Sequence, residues 1–202
     1  EKRYALALDA SNHGVWEWRP QQNLVYLSAR FFKLLGQDSI GREVSYEHEF
    51  LSYFINDDFE TVRFAFERQV EGLTDRIEIE ASARHRTGVE RLFLIRGLPE
   101  RDSRGEVYRI TGSLTDITDQ RAAEQRLEYL AYHDQITGLP NRHDLVRELN
   151  QLEQSAQEDN NVRYGVIVIE LEPYQRLQDT LGRSKSEEIL CAFARNLKSL
   201  LR

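Results

Sequence analysis

The sequence predicts an α+β chain: a five-stranded antiparallel sheet flanked by helices, then a charged linker helix, then a shorter α/β module. Three observations predict it. Residues 14–27 and 76–115 alternate apolar and polar side chains with the period of two expected of half-buried strands. Residues 46–72 and 119–133 space their apolar side chains by three and four, as helices do. Near the C-terminus the β-branched run Val166-Ile-Val-Ile169 stands between two helical patterns, as a strand buried on both faces would.

Residues 1–12 read as a short helix running into a loop, with Tyr4, Leu6 and Leu8 interleaved with Ala. Gly14 opens a strand whose period places Trp16 and Trp18 on one face, and Gln21-Gln-Asn23 turns it into Leu24-Val-Tyr-Leu27. Ser28 is placed to cap a helix over 30–35 that stops at Gly36. Phe50, Leu51 and Phe54, then Phe59, Val62, Phe66 and Val70, fall at helical spacings on either side of Asp57-Asp58. Strands over 76–86 and 90–96 are joined at Thr87-Gly88, and a third over 107–115 follows the turn Ser103-Arg-Gly105. Two strands, a helical middle and a three-stranded meander give an antiparallel sheet with helices on one face.

Residues 119–133 form a charged helix with Ala123, Leu127 and Leu130 on one edge, a seam too short to hold a coiled coil by itself. Asn141 is placed to cap a helix carrying Leu145, Val146, Leu149 and Leu152 on one face. A strand over 164–172 and a last helix over 185–202, burying Ile189, Leu190, Phe193, Leu197 and Leu200, complete the chain.

Composition narrows the function. At 202 residues and 40% hydrophobic, the chain can hold two small domains with ordinary cores. A formal net charge of −7 argues against broad nucleic-acid or anionic-membrane binding, which needs clustered Lys and Arg. The lone Cys191 precludes an internal disulfide and suits a reducing compartment. No apolar run reaches the roughly 18 residues of a membrane span, so we expect a cytoplasmic segment of a longer protein, with room for a membrane segment upstream.

Gly14-Val-Trp-Glu-Trp18, the turn Arg86-Thr-Gly88, and Thr111-Gly112 leading to Asp116-Ile-Thr118 resemble a PAS domain with its C-terminal PAC segment, over 1–119. This implies a PAS fold, with Asp116, Ile117 and Thr118 relaying a signal into the linker helix over 120–133. Trp16, Trp18, Phe31, Phe64 and Phe93 are candidates to line a small-molecule pocket, with plain core packing as the alternative. Flavin-binding relatives need a Cys inside the PAS domain, and Cys191 lies outside it, so no flavin–cysteine adduct is expected. His13, His48 and His85 lie off the apolar helix over 58–70 that would face a haem, which argues against haem. The resemblance implies that the linker helix pairs as a parallel coil, and hence a homodimer through the PAS domain and this helix.

His133-Asp-Gln-Ile-Thr-Gly-Leu-Pro-Asn-Arg142 resembles the opening motif of GGDEF domains, which make or bind cyclic di-GMP. The resemblance assigns 134–202 to the N-terminal part of a ferredoxin-like GGDEF module, with Asp134, Thr137 and Arg142 in the relay; the Gly-Gly-Asp/Glu-Glu-Phe signature does not occur. Matched residue by residue, the family's Mg²⁺-binding Asp is Glu170 here, its phosphate turn is Pro173-Tyr174-Gln175, and its guanine readers are Gln178 and Glu187.

Each departure weakens a piece of cyclase chemistry. Glu170 moves the carboxylate one methylene outward, against the tight octahedral demand of Mg²⁺. Gln178 shifts the amide by a similar step, Pro173 removes an N–H donor, and Gln175 replaces a positive charge. The plainer readings are a capping box for Ser184 and Glu187, and polar strand-end positions for Glu170 and Glu172. The resemblance therefore implies the sensory and dimerisation region of a cyclic di-GMP signalling protein whose degenerate GGDEF domain regulates a downstream EAL phosphodiesterase. The alternative is a PAS-regulated, active diguanylate cyclase that condenses two GTP. GTP and Mg²⁺ belong to the parent protein on either reading, and the segment alone is not expected to turn over GTP.

Overall fold

A computed structural model describes residues 12–55, 57–158, 165–170 and 174–200. It divides into two compact units, the first closing at Arg121 and the second opening at Ala122. The helix expected over 1–12 lies, but for its last residue, outside the described residues.

The first unit is built on one antiparallel sheet. Strands β1 (Gly14–Arg19) and β2 (Leu24–Leu27) form the expected hairpin around a 3₁₀ turn, Pro20–Gln22. Helix α1 (Ala29–Leu34) follows, and Ser28 does more than cap it. Its hydroxyl accepts from Phe31 N and from Val15 N, at 3.3 and 2.9 Å, so the cap also fastens the helix to β1.

Strand β3 (Arg42–Ser45) adds a sixth strand that periodicity did not reveal, since Val44 is its one apolar residue. The helical spacings of 46–72 resolve into a π-helical turn (Tyr46–Phe50), a 3₁₀ turn (Leu51–Tyr53) and helix α2 (Asp58–Val70). Strands β4 (Ile77–Arg84), β5 (Glu90–Arg101) and β6 (Val107–Asp116) make the meander. The sheet order is β3-β2-β1-β6-β5-β4, so the first strand and the last lie side by side at its centre.

Alternation sets the core. Trp16, Trp18, Val25, Leu27, Phe93, Ile95, Ile110 and Leu114 are buried, with Phe31, Phe50, Val62 and Phe66 from the helical segments. Gly97 and Gly112 face each other across β5 and β6, and Gly112 also pairs with Trp16. The Trp16 ring lies against both: a Cβ on Gly112 would stand 2.3 Å from Trp16 Cζ2 and 2.0 Å from the Arg96 carbonyl oxygen, and one on Gly97 2.5 Å from Trp16 Cη2. The two missing side chains make room for the indole.

Helix α3 (Thr118–Tyr132) is the expected linker helix, and Leu127 is 68% exposed on it. Helices α4 (Arg142–Glu158), α5 (Tyr174–Leu181) and α6 (Arg183–Leu200) belong to the second unit. Two expectations fail there. Residues 165–170 pair with no strand among the described residues and are exposed, Val168 by 88%. The apolar face of α6 is only partly covered, with Ile189 and Leu200 exposed and Leu190, Phe193 and Leu197 half-buried. A β-branched run becomes a buried strand only when neighbouring strands supply hydrogen bonds and a covered face.

Candidate functional site

Two aspartate knots bracket α3. At its root, Asp116 Oδ1 accepts from Thr118 N and Thr118 Oγ1 at 3.0 and 2.7 Å, while Arg91 Nη1 donates to Asp116 Oδ2 at 2.6 Å. The Thr118 hydroxyl oxygen in turn accepts from Leu92 N, and Ile117 N donates to Leu92 O, both at 2.9 Å. Ile117, between them in sequence, is buried, so the first turn of α3 is tied to the start of β5 by backbone and side chain alike. Burial pushes the Asp116 carboxyl up, but hydrogen bonds from Thr118 and Arg91 outweigh it and hold the group below its ordinary range.

The second knot follows the C-terminus of α3. Asp134 Oδ1 accepts from Ile136 N, Thr137 N and Thr137 Oγ1, at 3.2, 2.8 and 2.7 Å, and the Thr137 backbone N–H leads in holding this carboxyl below its ordinary range. The loop closes on itself through Asp134 N to Leu139 O, at 2.8 Å. Asn141 then serves both helices. Its Oδ1 caps α4 by accepting from His143 N and Asp144 N, while its Nδ2 donates to Ala131 O and its backbone N–H to Tyr132 O, the last carbonyls of α3. Arg142, expected in the relay, is exposed and takes no part in this knot.

The described nucleotide positions lie on three separate segments. Glu170 lies in the exposed, unpaired 165–170 stretch. Tyr174, Gln175 and Gln178 lie on α5 and Glu187 on α6, whereas Glu172 and Pro173 fall outside the described residues. Glu187 is not half of a capping box. Helix α6 begins at Arg183, which puts Ser184 inside the helix, and Arg183 Nε donates to Glu187 Oε1 at 2.7 Å. Among the described residues no group of three His, Cys, Asp or Glu is placed to hold a metal, so Glu170 by itself does not define a Mg²⁺ site.

Trp16, Trp18, Phe31 and Phe93 are core residues. Trp18 stacks on Tyr46 with centroids 4.4 Å apart, and both Trp rings pack on Phe66 at 5.0 and 5.3 Å. Phe64 is a correction: it is 59% exposed, with the Arg68 guanidinium over its ring at 5.5 Å. Arg91 is the member of the α3 root that sequence reasoning missed. Its partner was legible in the Asp-Ile-Thr run, but only the β5–β6 register carries the start of β5 to Asp116.

Comparison with known proteins follows the same division. The sensory box histidine kinase/response regulator structure from Burkholderia thailandensis E264 is 30% identical with a TM-score of 0.52, covering 62% of this chain and 92% of that one. The family model described as diguanylate cyclase, GGDEF domain, matches residues 131–202. The first unit is thus of the PAS class, and the segment that follows it matches the GGDEF family. The chain is a PAS domain followed by the N-terminal part of a GGDEF domain.

Among curated proteins, diguanylate cyclase DgcM of Escherichia coli (strain K12) is 37% identical over 89 residues, 43% of this chain and 21% of that protein. Cyclic di-GMP phosphodiesterase PdeR of the same strain is 34% identical over 103 residues, 50% of this chain and 15% of that protein. The chain therefore spans about a fifth or less of these relatives' length. No helix among the described residues is long and apolar enough to cross a membrane.

Proposed function

We propose that this chain is the input and coupling region of a cyclic di-GMP signalling protein, in which the PAS domain acts through α3 on a degenerate GGDEF domain that regulates an EAL phosphodiesterase further along the parent. The observation that carries the coupling is the pair of knots. Asp116 fixes where α3 starts and Asp134 with Asn141 fixes how it ends, so a change at the Arg91–Asp116 contact alters the element that leads into the GGDEF domain. The seam of exposed Ala123 and Leu127 with half-buried Leu130 supports pairing of two such helices, with the PAS domain, in a homodimer.

The degenerate reading rests on Glu170, Pro173, Gln175 and Gln178 together, each of which weakens metal, phosphate or guanine recognition. Kinship to both DgcM and PdeR is compatible with either direction of cyclic di-GMP turnover. The test is calorimetry of GTP and Mg²⁺ on the parent with its complete GGDEF domain, followed by chromatography of the products. Binding without cyclic di-GMP is the expected result. Formation of cyclic di-GMP overturns the degenerate reading in favour of a PAS-regulated cyclase.

A further inference from the structure

A cleft of about 380 Å³ opens on the first unit between α1 and the root of α3, outside the aromatic core. Arg30 and Lys33 of α1 line it with His85, Arg91, Asp116 and Asp119. Arg91 and Asp116 neutralise one another at 2.6 Å. Neither Arg30 nor Lys33 has a carboxylate within ion-pair distance among the described residues, and Arg30 Nε is buried with no hydrogen-bond partner. Separated by three residues, the two cations share one face of a six-residue helix, an arrangement that repels itself unless an anion lies nearby. A buried guanidinium N–H without an acceptor is likewise costly.

The wall opposite is fixed. His85 Nδ1 lies 2.8 Å from Thr87 Oγ1 and 3.3 Å from Thr87 N, which ties the ring to its own turn. The ring lies so close to Gly36, at φ +75°, that a Cβ there would stand 2.2 Å from Nε2. Leu34 is the one apolar side chain in the lining, and no Phe, Tyr or Trp contributes to it. A small hydrophilic acid would meet cations from α1 on one side and from β5 on the other. The volume is in the range of small-ligand clefts.

We propose that this cleft binds a small dianion carrying two carboxylate or phosphate groups, which pairs with Arg30 and Lys33 at one end and draws Arg91 from Asp116 at the other. Binding would thereby loosen the knot that fixes the start of α3. The ligand acts on the coupling helix directly, without entering the PAS core. The binding claim is independent of the GGDEF chemistry and is tested without nucleotide.

Calorimetry on the 202-residue chain at fixed ionic strength, with succinate and pyrophosphate as dianionic probes and acetate as monoanion, tests it. At least one dianion should bind tenfold or more tightly than acetate, and which one distinguishes a carboxylate from a phosphate ligand. The variant carrying Arg30→Gln and Lys33→Gln should lose about a hundredfold in affinity, tenfold for each charge-assisted contact. It should keep its unfolding midpoint, because neither side chain has an ion-pair partner to lose. Asp116→Asn, which releases Arg91, should tighten binding. Absence of binding by both dianions, affinity equal to that of acetate, or equal affinity in the double variant overturns the proposal.

Discussion

Replacing Asp116 with Ala removes the acceptor at the root of α3, and three interactions disappear with it. The bond to Thr118 N is a helix cap, about 1 kcal/mol. The Thr118 hydroxyl bond to a charged acceptor is worth about another 1 kcal/mol. The Arg91 pair is half open to solvent, Arg91 being 41% exposed, and adds no more than about 0.5–1 kcal/mol. The sum is about 2–3 kcal/mol. Both tryptophans of the chain are buried in the PAS core, so their fluorescence during urea unfolding reports that unit alone. With a slope of roughly 1.5 kcal/mol per molar urea, the midpoint should fall by about 1.5 M. Asp116→Asn keeps an oxygen for Thr118 and loses chiefly the ion pair, so it should fall by less than half as much. Equal shifts for Ala and Asn, or a midpoint unchanged by Ala, would refute the knot as a structural element.

Other outcomes follow from the same structure. Gly112→Ala should destabilise the PAS unit by about 3 kcal/mol, because the new methyl meets a backbone carbonyl as well as Trp16; adding Trp16→Phe should restore only part of the loss in the same urea assay. Leu127→Glu should weaken self-association in sedimentation equilibrium while leaving tryptophan-monitored stability within about 0.5 kcal/mol of the parent. The folded-state value of Asp116 lies below the ordinary carboxylate range, so its stabilisation of the PAS unit is complete above about pH 4 and is lost as pH falls through the folded value. Fluorescence midpoints should therefore be flat from about pH 5 to 7 and decline below about 4, with a shallower decline in Asp116→Asn.

Much of this was legible in the residues. Alternation at Trp16 and Trp18 and in the 76–115 meander marked the sheet because one face is buried, and Ser28 and Asn141 marked helix starts because only a short polar side chain can serve the free N–H groups there. What failed depended on neighbours. The run at 166–169 has the composition of a central strand but no partners among the described residues, and the Ser184–Glu187 spacing lost to a helix beginning at Arg183. The packing of His85 on Gly36 and the meeting of Arg91 with Asp116 join residues tens of positions apart, where local pattern carries no signal.

The placement of β1 beside β6 bears on how the domain is made. Trp16 pairs with Gly112 across about a hundred residues of chain, the most expensive closure in the unit. During synthesis the N-terminal hairpin must wait, its indoles uncovered, until the final strand leaves the ribosome. A chain cut before β6 would keep both tryptophans and most of the core residues, yet present an open, apolar sheet edge that invites aggregation. The strand that closes the sheet also runs directly into α3, so closure of the domain and placement of that helix are one event.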